Sequence, residues 1–262
     1  PCKENVMTLS ADRLQALMPH KPIQVFPSVG SSNDIAMQWL RDGAPAGAVV
    51  LADEQTAGRG RKGRLWHTPS GVALAVSYIL RPDPTHLNRV SMMGAVAVAE
   101  LCEHFGAKNV GIKWPNDVQI AGKKVSGILP EAAWEGQSLL GVVLGIGVNI
   151  RVNLADDLRP LATNLEDAID QHVDRVEAAA FLIQRLDTWS QQLADDVLFA
   201  TWCSHLTTVG QTVRVDNVAG MVESVDDTGA LLIRTSTGVI ERVVAGDVMI
   251  QSAPDETANE SV

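Results

Sequence analysis

The sequence predicts an α+β fold with two domains: a mixed-sheet domain over residues 28–206 and a small SH3-like β-barrel over residues 207–251. In the larger domain, short apolar runs typical of buried strands alternate with helical patterns. From Val209 the pattern changes to short strand-like segments joined by Asp-Thr-Gly and Ser-Thr-Gly turns, which is typical of a small barrel. A short segment over residues 1–27 precedes both domains, and the polar tail over residues 252–262 is expected to be disordered.

Composition is that of an ordinary globular protein. The chain has 262 residues, of which 46% are hydrophobic, and a formal net charge of -10. An acidic chain is a poor match to a phosphate backbone, so broad binding to DNA or RNA is not expected. No apolar run reaches the roughly 18 to 20 residues that a membrane-spanning helix requires. The first residues also lack the apolar segment of a secretory signal, so neither membrane insertion nor secretion is expected.

The spacing of the cysteines and histidines indicates the compartment of the protein and whether it binds a metal. Cys2, Cys102 and Cys203 are odd in number and far apart, which favours a reducing compartment over a disulfide framework. None of the six histidines pairs with a cysteine or another histidine at zinc spacing. We therefore expect a cytoplasmic enzyme that holds no transition metal.

Several elements of the larger domain can be predicted from hydrophobic patterns. Residues up to about Val25 are expected to hold at most one short helix, from Ala11 to Met18, closed by Pro19. Another helix is expected to begin after Ser32 and Asn33. The remaining predictions are strands at residues 48–52, 72–80 and 139–144, a strand over residues 110–118 that Pro115 breaks, a hairpin turning at Ala121-Gly122, and helices at residues 85–105 and 175–196.

One stretch, Gln55 to Gly71, is strongly basic within this acidic chain, and we call it the basic loop. Its four cations are interspersed with glycines, and both sets lie in Gly58-Arg59-Gly60-Arg61-Lys62-Gly63-Arg64. Glycines allow a backbone to approach a ligand closely, and guanidinium groups grip carboxylate or phosphate. An anionic ligand is therefore expected here, with a solvated basic loop as the alternative.

Two familiar phosphate-binding motifs fit the spacing of the basic loop but not its context. A dinucleotide fingerprint should open a helix, whereas Pro69 and Gly71 follow without a helical period. A P-loop needs Lys followed by Ser or Thr where this chain has Arg64-Leu65. Both motifs are therefore rejected.

Three further polar clusters have alternative explanations. Hydroxyl and amide residues at Ser31-Ser32-Asn33 are either helix caps or donors to a small polar ligand. The Lys113-Trp114-Pro115-Asn116-Asp117 cluster is either a turn with local hydrogen bonds or part of a site. In Gly145-Ile146-Gly147-Val148-Asn149, the glycines indicate a strand bulge or a close approach of a ligand.

These clusters, taken in order, resemble the biotin protein ligases. The blocks that carry the resemblance are Ser31–Asn33, Gln55–Arg61, Trp66, Lys113–Asp117, Lys124–Leu129 and Gly145–Asn149, and the similarity runs from about Val29 to Ile250. The resemblance implies a catalytic biotin/ATP-binding domain of the biotin/lipoate ligase type. It also implies two steps: biotin and MgATP give biotinyl-5′-AMP and pyrophosphate, and the biotinyl group then passes to a lysine of a biotin carboxyl carrier domain.

The same resemblance assigns roles to individual residues. For biotin it implies Ser31, Ser32, Asn33, Gln55, Gly58, Arg59, Arg61, Lys124 and Gly127. For ATP or the adenylate it implies Arg59, Arg61, Arg64, Trp66, Lys113, Asn116 and Asn149, with Trp66 packing on adenine. Lys124, Arg61 and Asp117 are the implied catalytic residues, and Asp117 is also the implied ligand of Mg²⁺.

Some features depart from fuller members of that family. The sequence has no DNA-binding domain before residue 28, so DNA binding is not expected, and a homodimer is left open. Ser32 stands where threonine is common, and Pro130 where an aliphatic residue is usual. Two alternatives remain: a lipoate or octanoate ligase or transferase of the same fold, and a non-enzymatic polyanion-binding protein.

Overall fold

The computed structural model describes residues 9–251, which divide into two compact units between His205 and Leu206. The first unit contains a seven-stranded sheet and six helices within the described residues. Its helices are α1 Ala11–Leu17, α2 Ser32–Arg41, α3 Leu87–His104, α4 Leu165–Ile169, α5 Arg175–Gln191 and α6 Asp196–His205. Its strands are β1 Ile23–Val29, β2 Val49–Gln55, β3 Ala73–Leu80, β4 Val110–Lys113, β5 Asp117–Ile120, β6 Lys123–Glu135 and β7 Ser138–Asn149.

The sheet of the first unit is mixed, with the order β1-β2-β3-β7-β6-β5-β4. β1 pairs with β2 in parallel, and the other pairings are antiparallel. Successive side chains of β7 point to opposite faces of the sheet, so they pack against two different helices. Val143 packs in a core cluster with Leu40 of α2, whereas Leu144 lies against Gly94 of α3. α2 and α3 therefore cover opposite faces of the sheet.

The face that α2 covers carries the glycines of β7. A Cβ at Gly145 would overlap the amide of Asn33 in α2, and a Cβ at Gly147 would overlap the indole of Trp66 in the basic loop. Glycine is therefore needed at both positions because neighbouring side chains approach the strand directly. The glycine-rich segment is a regular part of β7 and brings the N-terminus of α2 and the basic loop onto one surface.

A buried ion pair fastens the basic loop to the rest of the first unit. Asp53 in β2 is 3% exposed and Arg175 at the start of α5 is 5% exposed, and the guanidinium donates to the Asp53 carboxylate. The hydroxyl of Ser70, at the far end of the basic loop, donates to the other carboxylate oxygen. Asp53 therefore joins β2, the loop and α5 through one side chain.

The second unit is an antiparallel sheet of five strands in the order β11-β10-β9-β8-β12. The strands are β8 Thr212–Val215, β9 Val218–Val225, β10 Leu231–Arg234, β11 Ile240–Val243 and β12 Met249–Ile250. Alternate residues of β8 and β10, such as Val213 and Ile233, are fully buried. This small all-β unit agrees with the barrel predicted after Val209, and together the two units confirm the predicted fold class.

Three of the predicted elements are wrong in extent. The segment up to about Val25 contains more than the one expected helix, because β1 (Ile23–Val29) forms the edge of the large sheet. Pro27, which has no N–H group, is tolerated in this edge strand. The helix expected over residues 175–196 ends at Gln191, and α6 follows as a separate helix. The strand expected over residues 139–144 continues to Asn149.

The tight hairpin between β5 and β6 is confirmed. Ala121 and Gly122 connect them with φ angles of 49° and 79°, as a two-residue turn that matches the twist of the strands requires. No helix within residues 9–251 is long and apolar enough to cross a bilayer. The predicted disordered tail over residues 252–262 lies outside the described residues.

Candidate active site

The first part of the site is a buried polar network at the N-terminus of α2. Ser32 is 4% exposed and Asn33 is 5% exposed. The backbone N–H of Ser32 donates to Gln55 Oε1 at 2.8 Å, and the Ser32 hydroxyl lies 3.0 Å from the same oxygen. Gln55 Nε2 donates to Thr68 Oγ1 at 3.1 Å. The end of β2 and the start of α2 are thus held together by one amide side chain.

The network continues under α2 into the neighbouring strands. Ser77 of β3 is fully buried, and its Oγ lies 2.6 Å from Asn33 Oδ1 and 2.8 Å from Ser32 Oγ. Asn33 Nδ2 donates to Glu131 Oε2 of β6 at 2.6 Å. Every polar atom needs such a partner when it is removed from water. The chain of contacts therefore fixes the orientation of both amides at the base of the site.

The basic loop folds back on itself above this network. The N–H of Trp66 donates to the carbonyl of Gly58 at 2.9 Å, and the N–H of Gly60 donates to the carbonyl of Arg64 at 2.7 Å. A Cβ at Gly58 would overlap the carbonyl oxygen of Trp66. Glycine at position 58 is therefore required for the loop to close in this way.

The indole of Trp66 lies across the floor of the site. It contacts Gly147, and a Cβ at Gly127 would stand 3.3 Å from the Trp66 ring. Its Nε1 is buried and has no hydrogen-bond partner within residues 9–251. The cavity left between the polar network and the loop has a volume of about 40 Å³. That volume holds a few water molecules, and the indole of Trp66 occupies the space above Gly147 in this conformation.

The charged groups of the site lie near Trp66. Lys124 Nζ is 2.6 Å from Asp117 Oδ1 and 5.5 Å from the centre of a Trp66 ring. Arg61 donates to Asn116 Oδ1 at 3.0 Å, and Asn116 Nδ2 donates to the carbonyl of Ile128 at 2.6 Å. Asn116 follows the cis peptide bond between Trp114 and Pro115. Two cations and one carboxylate are therefore grouped beside the indole.

Arg59 has a different environment from Arg61. Its guanidinium forms two hydrogen bonds with Asp34, at 2.8 and 2.6 Å, and lies 3.5 Å from Glu131. The hydrogen bonds with Asp34 raise the pKa of Arg59 and lower the pKa of Asp34. The side chain of Arg59 is therefore committed to carboxylates of α2 and β6, whereas its backbone remains beside the small cavity.

A larger cavity adjoins the first on the far side of the indole. It has a volume of about 360 Å³, and its lining includes Trp66, Asn149, Leu154 and Leu158. Asn149 Nδ2 donates to the carbonyl of Thr163 at 3.1 Å. Because Trp66 lines both cavities, movement of this one side chain would join them.

Most residues that the sequence predicted for the site converge in the structure. Those that line the small cavity are Ser31, Ser32, Asn33, Gln55, Arg59, Arg61, Trp66, Asn116 and Gly127. Lys124 and Asp117 adjoin it through Trp66 and each other, whereas Asn149 lines the larger cavity. Arg64 is exposed and Lys113 half-buried, and neither lines the two cavities described above.

Three residues that support the site were not predicted. Ser77, Thr68 and Glu131 hold the predicted polar residues in place. Ser77 had a signal, since it is a polar residue in the middle of the apolar run of β3. Glu131 had none, because a glutamate after Pro130 in a long hairpin is typical of a solvated edge.

The fit of a magnesium ion depends on Asp117. Within the described residues, no group of three or more His, Cys, Asp or Glu side chains could hold a metal ion by itself. Mg²⁺ is usually bound by one or two carboxylates together with substrate phosphates. A single carboxylate that now faces Lys124 fits a metal that arrives with a nucleotide, and does not fit a resident metal.

Comparison with known proteins gives two family matches. Residues 25–149 match the biotin/lipoate A/B protein ligase family, and residues 208–250 match the biotin protein ligase C terminal domain. A biotin--[acetyl-CoA-carboxylase] ligase from Paracoccus denitrificans is 35% identical over 225 residues, covering 79% of this chain and 92% of that protein. The bifunctional ligase/repressor BirA of Bacillus subtilis is 33% identical over 236 residues, covering 84% of this chain and 71% of that protein.

The fold is also found among solved structures. The biotin protein ligase from Aquifex aeolicus in complex with biotin and ATP superposes with a TM-score of 0.76 at 24% identity. The match covers 89% of this chain and all of that one. At this identity the likeness concerns the fold.

Proposed function

This chain belongs to the biotin protein ligase family, and from that premise we propose that it activates biotin with ATP and transfers the biotinyl group to a lysine of a biotin carboxyl carrier domain. The observation that carries the proposal is that uncharged hydrogen-bonding groups and charged groups lie close together at one cavity. The uncharged side chains of Ser32 and Gln55 line the small cavity beside Trp66, and Lys124, paired with Asp117, lies 5.5 Å from the centre of the indole ring. Biotin likewise has a neutral cyclic urea at one end and a carboxylate at the other.

The neutral network suits the cyclic urea. Ser32 Oγ and Gln55 Oε1 are oxygens at the base of the small cavity, and urea N–H groups need such acceptors when they are buried. The hydroxyl of Ser31 and the backbone around Gly58 and Arg59 are the groups that we assign to the urea oxygen. The urea replaces the indole of Trp66 above Gly147, and the indole moves toward the larger cavity, where adenine would stack on it.

The first reaction joins two anions, so cations must offset their repulsion. A carboxylate oxygen of biotin attacks the α-phosphorus of MgATP, a P–O bond forms, and the bond to the pyrophosphate leaving group breaks. Lys124 and Arg61 are the side chains that we assign to the carboxylate and the α-phosphate, since charge moves between those groups during the step. Mg²⁺ enters as part of MgATP, and Asp117 contributes one oxygen ligand.

The second reaction uses the mixed anhydride as the acyl donor. The neutral amine of the carrier lysine attacks the carbonyl carbon, a C–N bond forms, and AMP leaves as the C–O bond breaks. The amine loses a proton in this step, and we assign its acceptance to Asp117 or to water. Asn116, which Arg61 contacts at 3.0 Å, keeps the arginine beside the anhydride. No covalent enzyme intermediate is required.

The cellular setting that we propose is the cytoplasm. Cys102 and Cys203 are free cysteines, which suits a reducing compartment. Cytoplasmic localisation is therefore part of the proposal. The absence of DNA binding stays a prediction, and a homodimer stays an open alternative.

The experiment that tests the proposal is ATP–pyrophosphate exchange with the purified chain. Exchange should require biotin, and lipoate or octanoate should not replace biotin. Exchange with lipoate and not with biotin would instead favour a lipoate ligase of the same fold. No exchange with either acid, together with salt-sensitive retention on polyanions, would instead favour the non-enzymatic alternative.

A further inference from the structure

We infer that Glu131 is a positioning residue that fixes the hydrogen-bond polarity of the buried network, so that the site accepts ligands with ring N–H donors. The inference rests on the proposed function and names what selects the ring. Glu131 touches neither Ser32 nor Gln55 in the contacts described above. Its effect reaches them through Asn33 and Ser77.

The first step is the orientation of the Asn33 amide. Asn33 Nδ2 lies 2.6 Å from Glu131 Oε2 and 3.4 Å from the carbonyl oxygen of Leu129. A carboxylate and a carbonyl can only accept hydrogen bonds. The NH₂ group of Asn33 must therefore face β6, and its Oδ1 must face Ser77.

The second step is the proton of Ser77. Its hydroxyl lies 2.6 Å from Asn33 Oδ1 and 2.8 Å from Ser32 Oγ. Because Asn33 Oδ1 can only accept, the single proton of Ser77 is donated to Asn33. The contact between the two serines must then be donated by Ser32.

The third step is the orientation of Gln55. The backbone N–H of Ser32 can only donate, and it lies 2.8 Å from Gln55 Oε1. The oxygen of Gln55 therefore faces α2, and its NH₂ group faces Thr68. The Ser32 hydroxyl lies 2.8 Å from Ser77 Oγ and 3.0 Å from Gln55 Oε1. Because the second step requires Ser32 to donate to Ser77, the proton of Ser32 is used inside the protein.

The consequence is that the network offers lone pairs to a ligand. Ser32 and Gln55 both line the small cavity, and Ser32 Oγ and Gln55 Oε1 are the acceptors that we assign to a ligand there. A ring with N–H groups, such as a cyclic urea, satisfies them, whereas a ring that has only acceptors leaves buried lone pairs facing each other. Rejection of the wrong ring then comes from unpaired buried groups, which is the stronger route to selectivity.

Glu131→Gln tests the inference because it keeps the shape and adds an NH₂ group. The new amide can donate to Asn33, so Asn33 can turn over and reverse the direction of the chain. Glu135→Gln is the matched control, since Glu135 lies on the same strand and is exposed. Calorimetric titrations would use biotin and a carbamate analogue in which a ring oxygen replaces one urea N–H.

We expect Glu131→Gln to weaken biotin binding about 10- to 100-fold. We also expect the preference for biotin over the carbamate to shrink about tenfold, because the reversed network can donate to the ring oxygen. Glu135→Gln should leave both affinities unchanged. An unchanged preference in a folded Glu131→Gln protein that binds biotin would overturn the inference alone, whereas a wild-type protein that does not bind biotin would overturn the proposed function with it.

Ser77→Ala provides a second route if Glu131→Gln is unstable. Removing the hydroxyl interrupts the same chain between Asn33 and Ser32, so the preference for biotin over the carbamate should fall as well. In the double variant the two losses should be less than additive, because both act through one chain. Fully additive losses would contradict the inference.

Discussion

Two groups of residues around Trp66, which we call the inner and the outer side, differ in how they are prepared for a ligand. The inner side is a hydrogen-bonded network of the uncharged side chains Ser32, Asn33, Gln55 and Ser77, together with the half-buried carboxylate of Glu131. The outer side consists of the charged side chains Arg61, Asp117 and Lys124 and of Asn116, which Arg61 contacts. The network of the inner side can accept hydrogen bonds without rearranging. On the outer side, the contacts of Lys124 with Asp117 and of Arg61 with Asn116 must be replaced by contacts with the substrates.

Because of this difference, we assign the selection of the ligand to the inner side and the acceleration of the reaction to the outer side. A network that is fixed before binding discriminates between rings, because a wrong ring leaves groups unpaired. Cations that are paired before binding, such as Lys124 with Asp117, contribute most when charge moves in the reaction. Changes on the inner side should therefore alter affinity, and changes on the outer side should alter rate.

Asp53→Asn should have the largest effect, because it removes support from both sides at once. The variant leaves the 5% exposed Arg175 without its anionic partner. Breaking one partner of a buried pair typically destabilises a protein by about 3–5 kcal/mol. Urea denaturation would measure the free energy of unfolding.

The control for Asp53→Asn is the double variant Asp53→Asn with Arg175→Met, which removes both charges. It should be more stable than the single variant, because no charge is left buried without a partner. A single variant within about 1 kcal/mol of the wild type would show that the ion pair does not support the loop.

Lys124→Ala should lower the rate of adenylate formation about 100- to 1000-fold, as the loss of one preorganised electrostatic group does in other enzymes. Biotin affinity should change much less, because the urea binds on the inner side. Single-turnover formation of biotinyl-AMP and calorimetry with biotin measure the two quantities. Lys123→Ala, at the exposed neighbouring position, is the matched control. Equal losses of rate and affinity in Lys124→Ala would remove the distinction between the two sides.

Trp66→Ala should speed the association of biotin by about three- to tenfold, because the ligand no longer waits for the indole to leave Gly147. Stopped-flow measurements with biotin alone would give the association rate. Trp134→Ala is the control, since Trp134 is 49% exposed near the tip of the hairpin between β6 and β7. A slower association in Trp66→Ala would indicate that the indole helps the ligand to enter.

Alkylation of cysteines should have the smallest effect. Burial raises the pKa of the Cys102 thiol to about 12, and its side chain is fully buried in α3. Cys203 is partly exposed in α6 and lines neither of the two cavities beside Trp66. In a Cys2→Ser variant, which leaves only the two described cysteines, iodoacetamide at neutral pH should therefore leave pyrophosphate exchange unchanged. Loss of exchange that biotin and MgATP prevent would mean that a thiol lies in the site.

The fold could be predicted where local pattern and tertiary structure agree. The apolar run of β3 and the turn at Ala121-Gly122 carry their structure in the local sequence. β1 was missed because Pro27 interrupts its pattern, and only pairing with β2 makes it a strand. The break between α5 and α6 was missed because the apolar pattern of one helix runs into that of the next.

The site could be predicted only as far as its directly contacting residues. Ser32, Gln55 and Lys124 belong to short blocks with a distinctive order. Glu131 and Ser77 act through other residues, so their importance depends on distances between strands that are far apart in the chain. The position of the Trp66 indole over Gly147 was also not predicted, because it depends on how the basic loop folds back.

A crystal structure of the protein with biotin would show whether the ligand displaces the Trp66 indole. We predict that the cyclic urea lies above Gly147 with its N–H groups on Ser32 Oγ and Gln55 Oε1, and that the Trp66 indole has moved toward Asn149. An indole that stays on Gly147 while biotin binds elsewhere would contradict this prediction.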